Sequence, residues 1–267
     1  MRIVGAVLLT LVGLTGCAPA TVPTAPAAAH AKATQVRLPT PNAPWDYQIG
    51  ASYTPARGVT TVVRDRRAKP AGRGYDICYV NAFQTQPDER GFWRGDRSKL
   101  ILRHRGRAVV DGAWGEFLLD TRTPAHRRRL AAIVGRWIAG CAKSGYDAVE
   151  LDNLDSWSRS HRSISPAHNK AFAKLLTSRA HRSGLAVAQK NWAELTGGRA
   201  LGFDFAVAEE CGRWQECGSY ARAYGDRVLA VEYRATDFRA ACKAWGPRLS
   251  VVLRDVAVSA RGPNRRC

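Results

Sequence analysis

From residue 123 onward the chain alternates helical segments with short apolar runs, and that alternation limits the folds open to it. Thr123-Pro124 opens a helix and Gly145 stops it; Leu130, Ile133, Val134, Trp137, Ile138 and Cys141 form its apolar stripe. Ser165-Pro166 opens the next, lined by Phe172, Leu175, Leu176 and Ala180 and stopped at Gly184. Another runs from Thr236 to Gly246. Apolar runs of strand length follow at 148–151, 185–188, 203–207, 228–231 and 249–253. Upstream, 59–63, 77–80 and 116–119 read the same way, which makes eight candidate strands. Several are apolar without alternation, as in parallel strands covered on both faces. Eight such strands over about 220 residues predict a (β/α)8 TIM barrel near the small end of its size range. A doubly wound sheet fits less well, because no glycine-rich phosphate loop follows any run. Residues 64–74 are too short and too rich in Pro and Gly for a full helix, and 83–115 lack helical periodicity. Irregular loops therefore replace helices in the first third.

The N-terminus carries an address. Arg2 precedes an apolar run over residues 3–14, with no acid before Asp46. This is the pattern of a signal peptide, too short for a stable membrane span. Leu14-Thr15-Gly16-Cys17 resembles a bacterial lipobox, so residues 1–16 are expected to be removed and Cys17 to carry lipid. The product would be a lipoprotein attached to the extracytoplasmic face of a bacterial envelope; secretion after ordinary cleavage is the alternative. Residues 17–44, rich in Ala, Pro and Thr, read as a tether, and 45–267 as the folded domain. Six cysteines remain beyond Cys17, an even number that permits three disulfides in an exported chain. Cys211 and Cys217 are close enough to close a small loop; the other pairings stay open. No Cys-x-x-Cys or His-x-x-x-His pair supports a metal site.

Forty-one basic residues against 22 acidic give a formal charge of +19. The basic residues are scattered and no nucleic-acid motif accompanies them, so no nucleic-acid partner is expected and a solvated surface drawn to anionic envelope polymers fits better. The predicted strand ends, where a parallel barrel places its active site, break this trend. They carry Asn81 and Gln84; Asp120 and Arg122; Glu150, Asp152, Asn153 and Asp155; Gln189, Lys190 and Asn191; Glu209 and Glu210; Glu232 and Tyr233; and Asp255. Glu150 and Asp152 share one face of a strand, where like charges shift each other's pKa. Trp114, Trp157, Trp192, Trp214 and Tyr233 lie beside these ends. Acids that bond hydroxyls and aromatic faces that stack on rings suit sugars. Glycoside hydrolysis needs two carboxyl groups, which strands four and six can supply.

Val149-Glu150-Leu151-Asp152-Asn153-Leu154-Asp155 resembles the Glu-x-Asp-Asn-x-Asp segment of glycoside hydrolase family 114, the endo-α-1,4-polygalactosaminidases. Gln189-Lys190-Asn191 is similar to that family's Lys-Asn strand end. Residues 203–211, with Glu216-Cys217 downstream, are similar to its Phe-Asp-Phe-Ala-Val-Asn-Glu-x-Cys block, and Val231-Glu232-Tyr233 to its seventh-strand end. Trp45-Asp46-Tyr47-Gln48 matches its opening, although the acid-bearing first strand is not found between residues 59 and 74. The resemblance covers 45–83 and 116–267. It implies a TIM barrel that hydrolyses α-1,4-linked galactosamine or N-acetylgalactosamine polymers without cofactor or metal. It implies Asp152 as nucleophile or base and Glu209 as general acid. Glu150, Asn153, Asp155, Glu210, Glu232, Tyr233, Trp157 and Trp192 would bind substrate or tune pKa values, and Lys190 and Asn191 would hold sugar hydroxyls or stabilise charge. It also implies that a Cys211–Cys217 disulfide braces the loop carrying Glu209. The net charge of +19 favours an N-acetylated or anionic polymer over a polycation. A glycan-binding lipoprotein without catalysis, on the same barrel, is the alternative.

Overall fold

The computed structural model describes residues 36–267. The expected signal segment, Cys17 and most of the tether lie outside the described residues.

Eight parallel strands form the barrel: β1 (Trp45–Gln48), β2 (Thr61–Asp65), β3 (Tyr75–Asn81), β4 (Ala148–Asp152), β5 (Ala186–Lys190), β6 (Phe205–Glu209), β7 (Val228–Glu232) and β8 (Ser250–Leu253). They pair in sequence order from β1 to β8. The barrel is nearly closed: β1 and β8 are not hydrogen-bonded, and Arg265–Arg266 instead pairs antiparallel with β8. Helices α1 (Pro124–Ser144), α2 (Pro166–Arg182), α3 (Cys217–Tyr224) and α4 (Ala235–Trp245) pack outside. Thr123 caps α1 by accepting from the His126 amide at 3.1 Å, and Gly145 ends it in the left-handed conformation at φ 91°. No helix links β1 to β2 or β2 to β3, so the irregular first third is present.

Alternating strand residues divide the core in two. Tyr47, Ile77, Ala148, Ala188, Val207 and Val231 belong to the set that fills the barrel interior. Val149, Leu151, Val187 and Ala206 face the helices. Disulfides tie β3 to α1 (Cys78–Cys141), close the loop after β6 (Cys211–Cys217) and tie α4 to the C-terminus (Cys242–Cys267). Such bridges fit an oxidising compartment.

Two strand assignments change. The run at 116–119 is not a barrel strand: Glu116–Phe117 pairs antiparallel with Val110–Asp111 in a small hairpin within the segment between β3 and α1. The first barrel strand is Trp45–Gln48, which places the acid-bearing strand upstream of residues 59–74. Its polar residues hid it. Asp46 is fully buried against the equally buried Arg254, with Nη1 3.0 Å from Oδ1. Arg254 also donates to the carbonyls of Ser259 and Pro263, so the C-terminal segment covers β1 where a helix would otherwise lie.

Candidate active site

β5 ends on a lysine inside the barrel. Lys190 is 1% exposed, and its ammonium lies 3.0 Å from Asp152 Oδ1, 3.1 Å from Glu150 Oε1 and 3.4 Å from Glu209 Oε2. It also donates to the Tyr47 hydroxyl at 3.0 Å. Two strands, β4 and β6, thus deliver three carboxylates to one cation on β5 between them. Glu150 and Asp152 face inward because Val149 and Leu151, the residues between and before them, face the helices. Burial alone would lower the Lys190 pKa, but the surrounding acids raise it well above the ordinary value, so the charge persists.

The carboxylates differ in environment. Burial would raise the Asp152 carboxyl, but the Lys190 charge and the bonds donated by Tyr79, Lys190 and the Asn153 amide outweigh it and hold it below the usual range. Tyr79 donates its hydroxyl to Asp152 Oδ2 at 2.6 Å. Glu150 lies deeper, fully buried, and accepts from the Tyr47 hydroxyl at 2.8 Å. Burial, aided by the Asp152 charge and opposed by Lys190, pushes it up to about 7. Glu209 is the most exposed of the three, its side chain 27% exposed against 14% for Asp152. It accepts from the Tyr233 hydroxyl and, at 3.0 Å, from the Asn191 side-chain amide. Asn191 Oδ1 in turn accepts from the Glu209 backbone at 2.8 Å.

Backbone geometry aims this set. Asn153, Asn191 and Glu210 follow the ends of β4, β5 and β6, and all adopt positive φ (64°, 52° and 54°). Asparagine tolerates that conformation better than most residues. The turns start loops away from the barrel while the last strand residues stay on the cleft floor.

An inner cleft of about 390 Å³ rises above this floor, lined by Asp152, Asn153, Asp155, Lys190, Asn191, Glu209 and Tyr233 among others. It runs into an outer groove of about 590 Å³, with Trp114, Asp155, Asn191, Glu209 and Tyr233 shared by both. Trp157 and Trp192 reach the groove; their rings stack on each other at 5.4 Å, and Lys170 covers Trp192. Trp114 and Trp214 are 56% and 58% exposed, and the Arg213 guanidinium lies over the Trp214 ring at 4.6 Å. Glu210 stands at the groove, paired with Arg213 at 2.7 Å. Asp155 pairs with Arg159 at 2.9 Å.

Some predicted residues lie elsewhere. Asp120 pairs with Arg122 at the start of α1. Asp255 accepts from the Ser259 amide. Glu150 lies beneath the cleft and acts on Asp152 and Lys190 rather than touching a ligand. Glu232 is fully buried behind β6: Oε1 accepts from the Gly212 amide at 2.7 Å, and the carboxylate sits within 4.8 Å of the Cys211 and Cys217 sulfurs. It braces the loop after Glu209. Five residues that the sequence reading passed over do reach the site: Tyr47, Tyr79, Asp111, Glu116 and Arg159. The two tyrosines sit one residue from apolar neighbours in strand-like runs, a signal legible only once their strands are known to end in the site.

Glu232 Oε2 has no partner, and burial pushes the group up to about 7. A buried acid raised in this way costs stability as pH rises from its unfolded value through about 7. Glu232→Gln removes that titration. Its stability relative to wild type is therefore expected to improve by about 2–3 kcal/mol between pH 4 and pH 8, whatever the offset at pH 4. Urea unfolding at the two pH values reads this directly; a constant difference would show that Glu232 does not titrate in that range.

The comparisons agree with this geometry. The model of glycoside-hydrolase family GH114 matches residues 24–267. The crystal structure of Aspergillus fumigatus Ega3 in complex with galactosamine is similar over 89% of this chain and 100% of that one, at 19% identity and TM-score 0.71. The glycoside hydrolase domain of PelA from Pseudomonas aeruginosa is similar over 82% of this chain and 97% of that one, at 16% identity and TM-score 0.57. No curated protein matches in sequence. The family match spans the whole barrel and the cleft at its strand ends, and the chain belongs to glycoside-hydrolase family GH114.

Proposed function

We propose that this chain hydrolyses an α-1,4-linked galactosamine-type polysaccharide outside the cytoplasm, anchored to a bacterial envelope through lipid on Cys17, with Asp152 as nucleophile and Glu209 as acid and base. The observation that carries the catalytic reading is the single Lys190 ammonium 3.0 Å from Asp152 and 3.4 Å from Glu209. Asp152 is kept ionised, as a nucleophile must be. It attacks the anomeric carbon while Glu209 gives its proton to the departing glycosidic oxygen. Glu209, now a carboxylate, takes a proton from water; the water oxygen displaces Asp152 and completes hydrolysis. Glu209 suits that exchange because it is the more exposed of the two. Tyr233 and Asn191 orient it.

The two oxygens near Lys190 can be no farther apart than the sum of their distances to it. That bound on the nearest oxygens lies just below the roughly 6.5–9.5 Å separation of inverting enzymes and is compatible with the proposed retention of configuration. Proton NMR of the first product formed is expected to show the α anomer; a β anomer appearing first would exclude the covalent route.

The substrate class rests on local charge. Asp111, Glu116, Asp155 and Glu209 line the inner cleft, and Glu194, Glu210 and Glu216 the outer groove. The chain as a whole carries +19, but a ligand in the cleft meets these acids within the Debye length of about 8 Å, whereas exposed bases farther away are largely screened. An amine-bearing polymer therefore fits the cleft, against the expectation from net charge. The Ega3 structure contains galactosamine. Reducing-end release from deacetylated α-1,4-galactosaminan by wild type, and its loss in Glu209→Gln, is the expected result. No release from deacetylated or acetylated polymer would remove the proposal.

A further inference from the structure

Five carboxylates line the inner cleft, and four have a basic partner. Asp152 and Glu209 share Lys190. Asp111 and Asp155 share Arg159, at 2.9 Å each. The fifth, Glu116, forms no ion pair among the described residues, in a chain with nearly twice as many bases as acids. It comes from the hairpin between β3 and α1, and it is 8% exposed. Its neighbours are amides. Asn81 donates to Oε1 at 2.8 Å and Asn153 to Oε2 at 3.3 Å. The Gln84 amide, turned to suit its surroundings, donates to Oε2 at 3.0 Å and accepts from Arg159.

These amides fix the orientation of the carboxylate but do not neutralise it. Burial, aided by the charges of Asp152 and Asp111 and opposed by the Asn81 bond and, more weakly, by the Arg159 charge, pushes it up to about 7. Only a carboxylate can accept from all these amides at once, but it does so at the cost of burying a charge that no ion pair offsets among the described residues. An uncompensated carboxylate on a cleft wall points to a cation that arrives with the ligand. Its position suits a sugar substituent: the Asn153 amide nitrogen that reaches Glu116 at 3.3 Å is also 3.5 Å from Asp152 Oδ2. A ring whose anomeric carbon faces Asp152 thus meets Glu116 at its side.

We propose that Glu116 is the specificity residue of this cleft, binding the ammonium of the amino sugar seated against Asp152 and so selecting deacetylated over N-acetylated residues. This rests on the glycoside hydrolase reading above and names the group that reads the substrate's charge. In the N-acetylated sugar the amide carries no charge to repay burial of the carboxylate, and its acetyl group crowds the same wall. A glutamine at the position removes the ionic attraction, nearly keeps the shape, and can still accept the Asn81 bond at its one carbonyl oxygen, although not the Asn153 bond as well. Nucleophile and acid remain untouched.

The test compares wild type with Glu116→Gln on α-1,4-galactosamine oligomers and on the same oligomers after N-acetylation. Thermal unfolding is followed in parallel to show that the variant is folded. Expected is a fall of roughly 10- to 100-fold in kcat/KM on the deacetylated oligomer, carried mostly by KM, with the acetylated oligomer unchanged within about twofold. Glu116→Asp, which keeps the charge on a shorter stem, is expected to retain part of the preference. Cleavage by wild type with the same selectivity in Glu116→Gln would overturn the role of Glu116 and leave the hydrolase intact. Equal losses on both oligomers would likewise overturn it, since they would place Glu116 in support of the site rather than in choice of substrate. Cleavage of neither oligomer by wild type would overturn the hydrolase reading, and this inference with it.

Discussion

Asp152→Asn is expected to lower turnover on the polymer by roughly 10⁴-fold or more, and Glu209→Gln by about 10²–10⁴-fold. The ranking follows from the role proposed for each side chain. Without Asp152 no covalent intermediate forms, whereas without Glu209 the leaving oxygen departs unprotonated, which is slow but possible. The two roles separate when the leaving group changes. A glycosyl fluoride needs no proton to depart, so Glu209→Gln is expected to recover formation of the intermediate on it, while Asp152→Asn stays inactive. Added azide separates them again. With Glu209→Ala it attacks the Asp152-linked sugar and gives a glycosyl azide of retained configuration. With Asp152→Ala it takes the place of the nucleophile and gives the inverted product. Recovery on fluoride by the Asp152 variant instead would exchange the two assignments.

The part of the site contributed by β4, β5 and β6 is legible in the sequence for a physical reason. Asp152, Lys190 and Glu209 each close a mostly apolar run, interrupted only by Glu150 in the first and Gln189 in the second. A charged residue there has nowhere to go but the mouth of a parallel barrel. Resemblance in four separate stretches added the family. What escaped lies where neither period nor run exists. β1 is four residues long with the polar Asp46 and Gln48 alternating with its aromatics, and it reads as strand only once Arg254, 208 residues away, is seen to cover Asp46. Glu116 comes from an aperiodic segment and bonds to Asn81, 35 residues upstream, and Asn153, 37 residues downstream. Tyr79 looks like any core aromatic until its hydroxyl meets Asp152, 73 residues on. The run at 116–119 misled for a related reason. Leu118 and Leu119 are fully buried, but Leu118 enters a small cluster with Leu102, Val109 and Ile164 and Leu119 the layer between strands and helices, and local apolarity does not say which core it will enter.

Lys190→Met is expected to be the most damaging single change to the fold at neutral pH and to shift the acid limb of activity upward. Lys190 has no substitute, because no other base forms an ion pair with Glu150, Asp152 or Glu209 among the described residues. Methionine fills the space of the stem but leaves these acids facing each other in a buried site. Losing one partner of such a buried cluster costs about 3–5 kcal/mol. In a domain of this size that corresponds to a melting temperature lower by roughly 10 °C. The pH dependence fixes the cause. The Asp152 pKa is depressed in the folded protein, so its pairing contributes stability above the unfolded carboxylate value, and that contribution is lost as pH falls through the folded value. In Lys190→Met the pairing is absent, and the remaining acids are easiest to bury when protonated. The melting difference between variant and wild type should therefore be large at pH 7–8 and shrink toward pH 4, as carboxylates take up protons in both. Activity should follow the same logic from the other side. A nucleophile no longer held ionised titrates at higher pH, so the acid limb of kcat/KM moves up while the residual rate falls. A melting difference independent of pH would mean that Lys190 acts through packing alone. An unmoved acid limb would mean that the bonds donated by Tyr79 and the Asn153 amide suffice to keep Asp152 charged.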